Sequence, residues 1–198
     1  MREIMNKIGL YFVKIYIPLN KLYCVFHNVS IGKRLKVRGL LFIRNRGIIE
    51  IGDNVRINSA SWANPIGSGD RTYIQVLSKG KLVIGNGCAI SNCAITSASM
   101  VLIEDNVMIG SGCKIYDTDF HPIDPIKRIN GENQYTNTKP ITIGENAFLG
   151  SGSTILKGVT IGKNAIIGAG AVVTKNIPSN EIWAGNPAKK IGIVKLQA

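Results

Sequence analysis

Only two histidines occur in the 198 residues, and one of them, His121, stands directly before a proline in the stretch 117–124, "DTDFHPID". Two carboxylates precede it, Asp119 and Asp117. An imidazole titrates near neutrality, so its neutral form can take a proton from an attacking hydroxyl and later return it to a leaving group. A nearby carboxylate can orient such a ring or bind an acceptor. The plainer alternative makes His121 a strand cap and the two aspartates turn caps beside a loop. The sequence does not say which carboxylate reaches the ring.

The elements that must position these residues follow from an internal repeat. From Ile143 the chain divides into hexads: IGENAF, LGSGST, ILKGVT, IGKNAI, IGAGAV, VTKNIP. A branched aliphatic residue opens each one, at Ile143, Leu149, Ile155, Ile161, Ile167 and Val173. Small or β-branched residues recur four places later, at Ala147, Ser153, Val159, Ala165 and Ala171. Ile103, Ile109 and Ile115 lead an earlier run, and Ile84 and Ile90 another. A looser run passes through Ile31, Val37, Ile43 and Ile49, then shifts phase to Ile51 and Ile57.

A period of six fits neither a helix nor a two-sided strand. It fits an all-β prism in which each hexad is one flat side, a short strand and a corner. Three hexads then make a coil of about 18 residues, and stacked coils pair as parallel strands about 4.8 Å apart. The leaders point inward. Cys88 and Cys113 take the small inward positions, so they read as core residues and not as nucleophiles. The prism spans 31–178, between a basic amphipathic segment at 1–30 and a C-terminal segment at 179–198. Two surface loops interrupt it, at about 60–73 and 122–140. After Ile115 the next leader position is His121. Pro122 cannot donate a ladder hydrogen bond, and the repeat resumes only near Ile141. His121 therefore stands at the root of the second loop. The first loop carries Trp62, Asp70 and Arg71, candidates for an acceptor pocket.

Composition limits the partners. There are 24 Lys and Arg against 12 Asp and Glu, a net charge of +12, which favours anionic partners. No basic helix or aromatic–basic sheet motif points to nucleic acid. Four cysteines without a C-x-x-C, with two histidines, form no usual zinc pattern, so no metal is expected. Reduced cysteines suit a cytoplasmic protein. Residues 8–19, "IGLYFVKIYIPL", are interrupted by Lys14, and are short for a membrane span and poor as a signal peptide. Residues 1–28 read either as a cap on the first coil or as a reversible anchor at the inner face of the membrane. The second reading interleaves Arg2, Lys7, Lys14 and Lys21 with Leu10, Phe12, Ile15, Ile17 and Leu22.

These hexads resemble those of the hexapeptide-repeat transferases, which implies a left-handed parallel β-helix; general crossover rules would favour the opposite hand. "DTDFHPID" resembles the catalytic segment of the sugar O-acetyltransferases in that superfamily, acting on maltose, galactosides, nodulation factors, capsule and O-antigen. The resemblance implies that His121 is a general base, that acetyl-CoA is the acyl donor, and that the assembly is a homotrimer. It also implies a coenzyme A groove at Gly150 and Ser151 of "FLGSGS", Gly168 and Ala169 of "IIGAGAVV", and Thr174 and Lys175 of "VTKNIP". Lys189 of "AGNPAKKI" replaces a phosphate-binding arginine, and Phe148 stands where a tryptophan is frequent. The galactoside enzyme's acceptor asparagine aligns with Ile90, which leaves nearby Asn92 as the acceptor candidate.

The expected activity is O-acetylation of a sugar hydroxyl on a bacterial surface polysaccharide or its precursor. The alternative is N-acylation of a nucleotide-linked amino sugar. An antibiotic-acetylating enzyme ranks lower. A γ-class carbonic anhydrase needs three zinc-binding histidines, and a purely structural β-helix would not need the His-Pro loop.

Overall fold

The computed structural model describes residues 15–66 and 69–195. A helix, α1 (15–26), leads into the prism. The first coil holds β1 (Val29–Ile31), β2 (Lys36–Gly39) and β3 (Phe42–Asn45), and the second β4 (Ile48–Ile51), β5 (Arg56–Ser59) and β6 (Tyr73–Val76). The third holds β7 (Lys81–Ile84), β8 (Ala89–Ser91) and β9 (Ala94–Ser97), and the fourth β10 (Met100–Ile103), β11 (Met108–Ile109) and β12 (Lys114–Tyr116). After the loop come β13 (Ile141–Ile143), β14 (Phe148–Leu149) and β15 (Thr154–Leu156), then β16 (Thr160–Ile161), β17 (Ile166–Ile167) and β18 (Val172–Val173). Every third strand stacks on one side. Side one is β1-β4-β7-β10-β13-β16, side two runs β2-β5-β8-β11-β14-β17, and side three is β3-β6-β9-β12-β15-β18. The fold is the left-handed parallel β-helix.

The leaders form three ladders inside the prism. Side one stacks Ile31, Ile51, Ile84, Ile103, Ile143 and Ile161 in register. Side three stacks Ile43, Ile74, Ile95, Ile115, Ile155 and Val173. All but Ile31 are buried. The apparent phase shift near residue 50 has a simple cause. β4 alternates in and out, so both Ile49 and Ile51 point inward, and neither breaks the stack.

The corners between sides one and two are built on asparagine. Asn54, Asn106, Asn146, Asn164 and Asn180 all have φ near +60°, a conformation asparagine tolerates better than other side chains. Their amides also bond along the stack: Asn146 Nδ2 donates to Asn164 Oδ1 at 3.1 Å, and Asn164 Nδ2 to Asn180 Oδ1 at 2.8 Å.

The stack runs past residue 178, where the sequence reading ended it. β19 (Glu181–Ala184) pairs in parallel with β17, placing Ile182 and Trp183 beside Ile166 and Ile167. β20 (Lys189–Ile193) then returns antiparallel on β19. At the other end, α1 docks on the first coil. Asn20, buried in α1, donates to Gly39 O at 2.8 Å and accepts from Leu41 N at 3.0 Å, while Cys24 joins the core. Residues 1–14, with Arg2, Lys7, Leu10, Phe12 and Lys14, lie outside the described residues.

Candidate active site

The edge between sides three and one carries the histidine. β12 ends at Tyr116, the chain turns the corner, and the loop leaves through Asp119 and His121 and returns at residues 138–139. The root is stitched shut. Thr118 bridges Thr138, Asp119 N donates to Asn137 O at 3.1 Å, and Lys139 N donates to Asp117 O at 3.0 Å. The loop itself contains a short helix, α2 (Pro125–Ile129), capped by Asp124. Phe120 takes φ +63°, and a backbone bond of 2.7 Å joins His121 N to Asp119 O. His121 is solvent-exposed.

The two aspartates part company. Asp117 is fully buried, and its carboxylate accepts from Ala98 N at 2.7 Å, Ser99 N at 2.8 Å and Ser97 Oγ at 3.2 Å. It is a cap on the neighbouring coil's turn, and this environment removes it from the candidates for orienting the histidine. Asp119 instead pairs with Lys157, which the sequence reading did not single out. Lys157 Nζ lies 2.6 Å from Asp119 Oδ1, each side chain being 27% exposed. The other oxygen, Asp119 Oδ2, is buried and without a partner among the described residues. A buried carboxylate oxygen is rarely left bare, and in a site it marks the place of a ligand or a reoriented neighbour.

Lys157 stands one coil on along the same edge, and Thr174 and Lys175 one coil further. Thr174 and Lys175 line a groove of about 250 Å³ with Trp183, Pro187, Ala188, Lys189 and Lys190. Lys190 is paired with Glu181, which also accepts from Trp183 Nε1. The Lys190 bond, aided by that of Trp183, holds the Glu181 carboxyl below the usual carboxylate range. Lys175 and Lys189 have no ion pair among the described residues. Two unpaired ammonium groups beside an indole suit the phosphates and base of a nucleotide-bearing donor.

The remaining expected residues lie elsewhere. Gly150, Ser151, Gly168 and Ala169 form successive corners between sides two and three. The corners touch: a Cβ on Gly150 would stand 2.6 Å from Ala169 N. Asn92 belongs to the same edge, three coils earlier than Ala169. It is 2% exposed, donates to Ala60 O at 3.2 Å, and leaves Oδ1 buried and unpartnered. It lines a groove of about 350 Å³ with Asp70, Arg71, Gly112, Lys114 and Gly152. Phe148 is partly exposed on β14 beside this edge. The expected site is thus divided: His121, Asp119, Thr174 and Lys175 border one margin of side three, and Asn92 and the glycine corners border the other.

Comparison with known proteins agrees with this architecture. Residues 140–175 match the family described as the hexapeptide repeat of succinyl-transferase. Nodulation protein L of Rhizobium leguminosarum bv. viciae is 47% identical over 98 residues, covering 50% of this chain and 50% of that protein. The chain spans about half the length of the curated relatives it matches. Among solved structures, the N-acyltransferase AntD of Bacillus cereus, in complex with dTDP and coenzyme A, superposes with a TM-score of 0.66, at 26% identity over 84% of both chains. A maltose O-acetyltransferase of Clostridium difficile 630 gives 0.51, at 28% identity over 84% of this chain and 70% of that one. Hexad spacing, stacked parallel sides and these likenesses converge: the chain belongs to the hexapeptide-repeat, left-handed β-helix acetyltransferase superfamily.

Proposed function

We propose that the protein is an acetyl-CoA-dependent O-acetyltransferase acting on a sugar hydroxyl of a bacterial surface polysaccharide or its precursor. The observation that carries this reading is the exposed His121 at a stitched loop root, two residues from an aspartate fixed by Lys157, on the edge that leads to Lys175. His121 Nε2 or Nδ1 accepts the hydroxyl proton as the oxygen attacks the thioester carbonyl. The C–S bond then breaks, the imidazolium returns the proton to the departing thiolate, and the products are an ester and free coenzyme A. Asp119, held by Lys157, is the carboxylate that orients the ring. Lys175 and Lys189 neutralise donor phosphates, and the Gly150–Ser151 and Gly168–Ala169 corners admit the pantetheine arm against the backbone. Asn92 contacts the acceptor.

The division of these residues between two margins of side three supports a homotrimer. In one prism the margins are separated by a full side. Around a threefold axis, one copy's Asn92 margin meets the next copy's His121 margin, and a complete site forms in each of the three clefts.

N-acylation of a nucleotide-linked amino sugar is the second reading, favoured by the higher TM-score to AntD than to the maltose enzyme. The same base would serve an attacking amine. Thiol release from acetyl-CoA with glycans and with dTDP-amino sugars decides between them. The O-acetyltransferase predicts turnover with glycans alone. His121→Ala should lower that turnover by roughly 10²–10⁴ with acetyl-CoA affinity nearly unchanged. A variant within a factor of three of the parent would remove His121 from the chemistry.

A further inference from the structure

α1 has two faces with different partners. One face holds Asn20 and Cys24 against the first coil, with Tyr23 packed on the core. The opposite face is apolar and uncovered: Ile15 is 60% exposed, Leu19 45%, Leu22 68%, Val25 65% and Phe26 82%. A helix that only capped the prism would turn polar residues outward. Five large apolar side chains on one short helix are a surface built to be covered.

The coil beneath this helix is cationic all the way round. Lys33 and Arg34 occupy its first corner, Lys36 and Arg38 the outer face of β2, Arg44 the outer face of β3, and Arg46 the last corner. All six are exposed. None is in an ion pair among the described residues. With Lys21 on α1 they make up every charged residue between 15 and 49, a stretch with no Asp or Glu. An apolar helix face ringed by unpaired cations is complementary to one kind of surface: apolar burial acts at the helix while anionic headgroups neutralise the ring.

We propose that this end of the prism docks on an anionic lipid bilayer, with α1 lying in the interface and the first coil's Lys and Arg residues on the headgroups. The attachment is peripheral, since none of the described helices is long and apolar enough to cross a membrane. Combined with the acetyl-transfer reading, it sets a height. His121 follows the fourth coil, three steps of about 4.8 Å above the first, so it stands roughly 14 Å above the docking plane. That is within reach of the first sugars of a lipid-linked glycan.

The test reads lipid binding and not acetyl transfer, so it is independent of the proposed activity. Full-length protein is floated with phosphatidylcholine vesicles and with vesicles of equal parts phosphatidylcholine and phosphatidylglycerol. The expected result is binding to the second alone, weakened by salt. Leu22→Gln/Phe26→Gln, and separately Arg38→Glu/Arg46→Glu, should each lower partition by about tenfold or more with the thermal midpoint unchanged. All four side chains are exposed, so the fold tolerates them. Three results overturn the proposal: no binding to either vesicle, full binding by the Leu22/Phe26 variant, or an oligomer larger than a trimer that the Leu22/Phe26 variant dissolves. The last would mean that a second copy of the chain covers α1. Binding to RNA that tracks vesicle binding through the charge variant, with the Leu22/Phe26 variant still bound to vesicles, would reduce the ring to a general polyanion surface.

Discussion

Cys113 and His121 are separated by eight positions, yet only one is equipped for chemistry. Burial pushes the Cys113 thiol up, only partly opposed by its hydrogen bonds to Ser153 and nearby backbone. Its sulfur lies 3.1 Å from Gly150 O and 3.3 Å from Ser153 Oγ, inside the core. Burial raises Cys88 to about 11 as well. A thiol held neutral and enclosed is a poor nucleophile, so direct transfer without an acyl-enzyme follows. Cys113→Ala should keep turnover within about threefold and cost roughly 1 kcal/mol of stability for the lost sulfur. Peptide mass spectrometry after incubation with acetyl-CoA alone should find no acetyl group on Cys113, and finding one would contradict direct transfer. The cysteine's role was legible from its place in the hexad. The partner of Asp119 was not, because Lys157 is 38 positions away and only coil stacking brings the two together.

At the scale of elements, the strict hexads from residue 80 onward announced their strands because each side there holds one leader and one small residue. The first two coils were harder to read, since strands such as β4 carry two inward aliphatics and a phase cannot be taken from either alone. The two-faced character of α1 was hidden for a related reason. A helix apolar on both sides shows no clear period. The asparagine corners are the element-level device that can be tested directly. Asn164 combines φ +58° with amide bonds to the residues above and below. Asn164→Ala should destabilise by about 1–3 kcal/mol through strain and lost hydrogen bonds. Asn164→Gly relieves the strain and should cost less. Urea unfolding of the pair measures both, and an alanine variant as stable as the glycine one would mean that backbone strain contributes nothing at this corner.

At the scale of the whole molecule, the divided site makes activity a property of the assembly. A His121→Ala chain keeps an intact Asn92 margin, and an Ala169→Trp chain, with its donor corner blocked, keeps an intact histidine margin. Neither variant should turn over alone. Refolded together in equal amounts, they should recover roughly a quarter of parental activity, since random mixing restores one cleft in four. No recovery from mixed trimers would put both margins to work within a single prism. The stitched root of the 122–140 loop has a consequence of another kind. Because Thr118–Thr138 and Asp117–Lys139 close the insert before it leaves the coil, the stack beneath does not register how long the insert is. Lengthening a closed loop costs only about 0.6 kcal/mol per doubling. The segment between Ile123 and Thr136 is therefore open to extension, deletion and exchange while the prism keeps its shape. A lineage can explore new acceptors there, one insertion at a time, without rebuilding the machine that carries the acetyl group.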